Sequence, residues 1–355
     1  MNENIKIVLT GGGTAGHVMP HIAMLPFYKK KGWDVHYVGS SGIEKTLIEK
    51  EGIPFHEIPA GKLRRYISFQ NFIDIFKVVF GVIKSIYFLV KIRPKLVFSK
   101  GGFVSVPVAL GAWLLRIPVY SHESDLTPGL ANKIINPFAR LIFYCFPDTG
   151  KFLDKHKSKF VGLPIRNELK EGDIKAGYEM CGFESNPSQK VLLFMGGSLG
   201  AQKINEVLES ALPELLKKYQ VIHLTGKGKG IHFKGKGYKS FEFLGSELKD
   251  IFAITDLVVS RAGANSIFEF LALNLPMVLI PLEVGSRGDQ VDNSMCFESH
   301  GLAKLIREKD LEKSSLIKMI DSELEKEKLS GSQTLVPSNS EDLILESLQT
   351  DLDSK

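Results

Sequence analysis

Short continuous apolar runs alternate along this chain with longer stretches of helical period. Residues 5–10, 34–39, 96–99, 119–122 and 141–145 read as strands, as do 191–195, 221–224, 257–260 and 277–280. Between several of them lie amphipathic segments such as 204–218 and 265–273. This alternation predicts an α/β protein with parallel sheets and crossover helices. Runs such as VLLFM are apolar at every position, which predicts strands covered on both faces. A strand followed by glycines recurs at IKIVLT-GGGTAG, KLVFSK-GGFVS and KVLLFM-GGSLGA. The first and third each open into a helix and lie far enough apart to head two sheets. Two similar halves follow, with a break at 160–166, where KHKSK and Gly162-Leu163-Pro164 interrupt the period. The domains are accordingly placed at 1–162 and 163–334, with a polar tail at about 335–355 and a last helix at 341–348.

One segment, residues 72–90, is nearly apolar throughout. Asp74, Lys77 and Lys84 argue against a spanning helix. Lys77, Lys84 and Lys91 recur every seven residues and form a polar stripe on a helix. The pattern alone favours a core helix with one solvated edge. The alternative is a helix lying on an anionic bilayer, beside the basic cluster Lys62-Leu63-Arg64-Arg65.

With 355 residues, 44% hydrophobic and 24% charged, the chain suits two packed domains rather than a disordered one. Its three cysteines are scattered, with neither metal spacing nor a disulfide framework, which fits a reducing compartment. The opening MNENIKIVLTGGG does not read as a signal peptide. A net charge of +5 is modest and does not call for nucleic acid.

Three segments carry chemistry. Gly11, Gly13 and Gly16 satisfy G-x-G-x-x-G after the first strand, where amides and a helix N-terminus attract anions. A dinucleotide site also needs an acid at the end of the second strand, which instead ends Gly39-Ser40-Ser41. Dinucleotide loop and plain strand-to-helix turn both remain open on this ground. His17 stands at the helix start, where the neutral imidazole is favoured and a general base is plausible chemistry. Gly196-Gly197-Ser198-Leu199-Gly200 offers a phosphate cradle without a Walker lysine. Arg261–Glu269 puts small residues at a helix N-terminus, with Asn265 or Ser266 as N-cap and Glu269 one turn inside. Amides there suit a diphosphate, and the carboxylate suits two ribose hydroxyls. Asp289-Gln290 lies in what reads as a solvated strand-end loop. No metal motif accompanies these segments, so helix dipoles and Ser198 are expected to stabilise a leaving diphosphate without a cation.

In order and spacing, GGGTAGHVMP, SKGGFVSVP, HESDLTPGLANK, GLPIR, MGGSLGAQKIN, RAGANSIFE and DQVDN resemble the MurG family from Lys6 to about Leu305. The resemblance implies the GT-B fold, two Rossmann-like domains, with the final helix returning to the first. It implies an inverting transferase that moves N-acetylglucosamine from UDP-GlcNAc to undecaprenyl-diphospho-muramoyl-pentapeptide (lipid I), giving lipid II for peptidoglycan, at the cytoplasmic face of the cell membrane. It implies donor contacts from the Leu244 backbone, Glu269 on the ribose, Ser198, Ala264, Asn265 and Ser266 around the diphosphate, Arg166, and Gln290 on the sugar. It implies Thr14, Ala15 and Gly16 beside the reacting groups, Asp125 on a sugar or acceptor, His17 as base, and no cofactor. An anionic membrane surface is the implied partner of the 72–90 segment. The chain departs from the family pattern at His122-Glu123-Ser124-Asp125, usually H-E-Q-N, and at Asp289, Ala15 and Phe103. A related UDP-sugar transferase with another lipid acceptor and an NAD-dependent oxidoreductase are the rival readings.

Overall fold

The computed structural model describes residues 5–61, 69–185, 189–197, 200–284, 288–325 and 336–353. The chain divides into two compact units: Met1–Arg166 with Val336–Lys355, and Asn167–Leu335. The break falls after Arg166 rather than after 162 because the intervening stretch is held by the end of the chain. The Ile165 amide donates to the Glu341 carboxylate at 2.7 Å, and Gly162 packs on the Ser340 side chain.

The first unit runs β1 (Lys6–Thr10), α1 (Met19–Lys30), β2 (Asp34–Gly39), α2 (Ile43–Lys50), β3 (Phe55–Glu57), α3 (Phe69–Ile92), β4 (Leu96–Ser99) and α4 (Ser105–Leu114). It continues through β5 (Val119–Glu123), α5 (Leu130–Ile135), β6 (Leu141–Tyr144) and β7 (Ser158–Phe160). The second unit carries α6 (Ile174–Cys181), β8 (Val191–Met195), α7 (Gln202–Leu215), β9 (Gln220–Leu224), β10 (Tyr238–Phe241), α8 (Leu248–Ile254) and β11 (Leu257–Ser260). After these come α9 (Ala264–Ala272), β12 (Met277–Leu279), α10 (Asp289–Ser299), β13 (Lys304–Leu305) and α11 (Lys313–Leu324). Then α12 (Ser340–Asp353) returns to the first unit.

The first sheet has the order β3-β2-β1-β4-β5-β6-β7 and the second β10-β9-β8-β11-β12-β13, every pair parallel. The two halves therefore repeat one topology, with β8 standing where β1 stands. In each sheet the order reverses beside that strand, and the crevice at the C-terminal ends there is where such sheets bind ligands. The central strands are buried at nearly every position, as their unbroken apolar runs require. On one face of the first sheet, Ile344, Leu345 and Leu348 of α12 join Ile7, Leu9, Met24 and Tyr28 in a single cluster. Arg140 grips Asp351 through two bonds of 2.6 and 2.7 Å, which fastens the far end of α12.

The 72–90 segment lies within α3, and the core-helix expectation fails. Ile75, Phe76, Val79, Phe80, Ile83, Tyr87 and Val90 are between 50% and 61% exposed. The buried side instead carries Gly81, Ser85 and Leu89. Small residues there let α3 lie close on its support: a Cβ at Gly81 would come within 2.5 Å of the Pro59 carbonyl. Helix α4 adds Trp113 and Leu114, 52% and 56% exposed. Among the described residues, no helix is long and apolar enough to cross a membrane.

Candidate functional site

In the first unit the loop after β1 is gripped by buried side chains. Tyr37 donates its hydroxyl to the Gly11 carbonyl at 2.8 Å. Glu44, fully buried at the start of α2, accepts from the Gly13 amide at 3.3 Å and from the amide and hydroxyl of Ser40. The acid missing from the end of β2 thus stands just past it and spends its oxygens on loop donors. Gly102, after β4, sits at φ +78°, and a Cβ there would meet the Gly12 carbonyl at 2.2 Å. The two glycine segments of this unit are therefore packed on each other.

Thr14 is exposed, and Ala15, Gly16 and His17 form a half-buried 3₁₀ turn ahead of α1. His17 accordingly stands just before the N-cap of α1, Val18, rather than inside the helix's first turn. Its Nδ1 shares a 3.1 Å hydrogen bond with Thr14 Oγ1. Further in, His21 is fully buried with Nε2 3.1 Å from the Thr10 carbonyl, and burial lowers its pKa to about 3.

Lys100 was not singled out from the sequence, yet it lies at the centre of this edge. It is 2% exposed, and its ammonium donates to His122 Nδ1 and to Ser124 Oγ, both at 2.7 Å. His122 Nε2 bonds the Gly162 carbonyl at 3.0 Å, with the Cys145 thiol alongside at 3.1 Å. Burial lowers Lys100 to about 8, against the raising pull of Cys145, Glu123 and Asp125. Burial and then the Lys100 charge hold His122 well below its ordinary range, and burial pushes the Cys145 thiol up. The Glu123 carboxylate accepts from the amides of Ser124, Asp125 and Gly129 and from the Asn132 side chain, at 2.8–3.0 Å. Those bonds fold the turn that presents half-buried Asp125. The sequence signal was a lysine closing an otherwise apolar strand against a histidine closing the next one. Arg166, half-buried, closes the segment after β7 and belongs to this unit, not to the second.

In the second unit every remaining predicted residue that the structure describes stands at or just beyond the C-terminal edge of the sheet. Ser198, like Arg64 and Arg65, lies outside the described residues. Gly200 rests on the Thr225 carbonyl, and buried Asn205 holds the Thr225 and Lys229 carbonyls at 3.0 Å each. His223, which burial lowers to about 4, backs Asn205 at 3.0 Å. Leu244 is half-buried in the loop after β10, beside Phe243, which is 73% exposed.

Helix α9 starts straight from the end of β11. Its N-cap is Gly263, with no side-chain cap, so neither Asn265 nor Ser266 has the capping role expected of it. The first intrahelical bond runs from the Ile267 amide to Gly263. The amides of Ala264, Asn265 and Ser266 precede it and point out of the N-terminus. Glu269 lies half-buried just over one turn on. Arg261 braces this junction by donating to the Ile280 and Pro281 carbonyls at 3.2 Å and pairing with Glu308 at 2.5 Å. Asp289-Gln290 opens α10 and is not a free loop. Gln290 Oε1 accepts from the Leu282 amide at 3.0 Å, and Asn293, fully buried, reaches the Ala262 carbonyl at 3.4 Å. Those contacts tie α10 to the loops after β11 and β12.

The glycosyltransferase family 28 N-terminal domain matches residues 7–144, and the family 28 C-terminal domain matches 191–341. A Bacillus cereus (strain ATCC 14579) protein named UDP-N-acetylglucosamine–N-acetylmuramyl-(pentapeptide) pyrophosphoryl-undecaprenol N-acetylglucosamine transferase 2 is 52% identical over 321 residues, 89% of this chain and 90% of its own. A Staphylococcus carnosus (strain TM300) transferase of the same name, without the final numeral, is 51% identical over 320 residues, 89% and 88% of the two chains. Among solved structures, Acinetobacter baumannii MurG aligns at a TM-score of 0.75 and 21% identity, over 98% of this chain and 99% of that one. The calicheamicin glycosyltransferase CalG4 also reaches 0.75 at 12% identity, over 99% of each, which speaks for the fold alone.

Proposed function

The chain belongs to the MurG family of GT-B glycosyltransferases, and on that premise we infer that it transfers N-acetylglucosamine from UDP-GlcNAc to lipid I, giving lipid II for peptidoglycan synthesis. The single observation that carries the residue-level reading is the junction of β11 and α9. There a helix N-terminus with small residues stands at the ligand edge of the sheet, with a half-buried carboxylate just over a turn behind it. We assign the UDP diphosphate to the amides of Ala264, Asn265 and Ser266 together with Ser198, and the ribose hydroxyls to Glu269. Leu244 meets the uracil through its backbone, with the exposed Phe243 ring beside it to stack on the base. Gln290 completes the donor contacts of this unit.

Thr14, Ala15 and Gly16 carry His17 to the acceptor. With Nδ1–H given to Thr14, Nε2 holds the lone pair that takes the proton of the acceptor hydroxyl. The hydroxyl oxygen bonds to the anomeric carbon as its bond to the diphosphate breaks, so the configuration inverts. UDP departs with the bonding pair, and the helix amides receive that charge without a metal ion. Asp125 accepts from a sugar hydroxyl.

The outward face of α3, with Trp113 and Leu114 of α4, is the surface we assign to the membrane. Large apolar residues face out there, with Lys77, Lys84 and Lys91 exposed among them. Apolar side chains ringed by lysines suit the headgroup region of an anionic bilayer, at its cytoplasmic face, where the donor is found. No nucleic-acid partner is called for.

The test is UDP release from UDP-GlcNAc, with and without a lipid I analogue and with EDTA present. Release that needs the analogue and survives EDTA is expected. Loss of release in EDTA sinks the metal-free assignment, and release with NADH binding in place of UDP-GlcNAc binding sinks the donor.

A further inference from the structure

The transferase reading leaves one buried charge unused. Lys100 is 2% exposed, and its ammonium makes two hydrogen bonds at the end of β5. An unpaired buried ammonium costs several kcal/mol, so its retention needs a partner of opposite charge and satisfied hydrogen bonds. Two observations identify what it holds. Its bonds to His122 Nδ1 and Ser124 Oγ straddle Glu123, at the first step of the turn that leads to Asp125. His122 is anchored on its far side by Nε2 and the Gly162 carbonyl, so the imidazole is a neutral strut with Nδ1 accepting and Nε2 donating.

We propose that Lys100 is a positioning residue for acceptor recognition: its ammonium fixes the Ser124–Asp125 turn and supplies the counter-charge for an aspartate at position 125. This rests on the transferase reading above and deepens it. Glu123 already spends both oxygens on four N–H donors. Asp125 is the second carboxylate whose field reaches Lys100. An ionised aspartate only accepts hydrogen bonds, whereas the asparagine usual in the family also donates. The pair Lys100 and Asp125 therefore commits this turn to a ligand group that donates, a sugar hydroxyl of the acceptor. The lysine and the departure from H-E-Q-N are two parts of one device.

A double-mutant cycle tests this with K100M, D125N and the double variant, assayed with a lipid I analogue. K100M is expected to lower kcat/KM for the acceptor about 100-fold, the size of a misplaced contact, with the KM for UDP-GlcNAc within about twofold. D125N alone is expected to lose about tenfold, and the double variant to be no worse than K100M alone. Losses that multiply, or a donor KM that rises in step, overturn the proposal. Should K100M fail to fold, S124A removes only one of the lysine's bonds; about tenfold lower acceptor kcat/KM supports the proposal and an unchanged value overturns it. If the wild type transfers nothing to the analogue, it is the transferase reading that fails. Amide hydrogen exchange over residues 123–129 then decides on Lys100 alone. Faster exchange in K100M supports the fixed turn, and equal protection overturns it.

Discussion

The glycines of the two units meet different surroundings. At Gly12 and Gly102 an added Cβ would approach the Glu44 carboxylate to 2.6 Å and the Gly12 carbonyl to 2.2 Å, whereas at Gly263 nothing among the described residues lies within 4 Å. Both sheets have the same strand order and the same reversal beside β1 or β8. In the first unit the Gly13 amide, the Gly11 carbonyl and the glycine faces are engaged by the protein itself, through Glu44, Tyr37 and the second glycine segment. In the second the Gly200 turn is likewise packed, on the Thr225 carbonyl, whereas Gly263 opens outward at the N-terminus of α9. One topology therefore supports a clamped loop, to which the base is assigned, and an open helix start, to which the diphosphate is assigned. The glycine motif alone does not say which. The side chain that fills or leaves the neighbouring space decides it.

The contrast can be broken at four points. His17→Ala is expected to lower kcat about 1000-fold, as removal of a general base does, with the dissociation constant for UDP-GlcNAc unchanged by calorimetry. A full rate in that variant moves the base elsewhere. Glu269→Ala removes a charged acceptor of two ribose hydroxyls. At about 3 kcal/mol it should raise the donor KM about 100-fold while leaving acceptor KM alone. Matched glycine changes compare the loops directly. Gly102→Ala should cost about 3 kcal/mol of stability, read as a lower denaturant midpoint, since φ is positive and a carbonyl blocks the methyl. Gly263→Ala, at φ −70°, should melt like the wild type but raise the donor KM about tenfold, because its methyl enters the space assigned to the diphosphate. Equal effects of the two on stability would erase the distinction between clamped and open. The smallest change concerns α3: Phe80→Glu should weaken binding to phosphatidylglycerol vesicles about fivefold, with UDP-GlcNAc affinity unaltered.

Much of this architecture is readable from the sequence, and what escapes is consistent. The central strands announce themselves because both faces are covered. The strands that pass unnoticed are β3, β7, β10 and β13, which are the edges of the two sheets. They are short and half-exposed, with sequences such as FHE and SKF that carry no apolar run. The start of α10 hides for another reason. Asp289, Gln290, Asp292 and Asn293 look like a solvated loop, but Asn293 is buried to tie α10 to Ala262. Helix α3 misleads because polarity does not tell its sides apart, with Gly81 and Ser85 inside and Phe80 and Tyr87 outside. Lys100 and Glu44 escape because a buried charge resembles a surface charge until its partners are known. The segment before Glu269 is legible because a strand end, small residues and a helix start follow one another in sequence, and the structure has β11 and α9 there.

The course of the chain through the two units also bears on how the molecule is made. The core of the first unit includes Ile344, Leu345 and Leu348, and Asp351 receives both Arg140 and the Tyr120 hydroxyl. Synthesis runs from the N-terminus, and domains ordinarily fold in that order. Here the first unit waits for a helix, α12, that is translated only after the second unit. A nascent chain stalled before Ser340 therefore carries a second unit with all its elements and a first unit lacking one wall of its core. That unfinished unit already displays the outward apolar face of α3, so the ribosome-bound protein has more greasy surface to shield than the completed one.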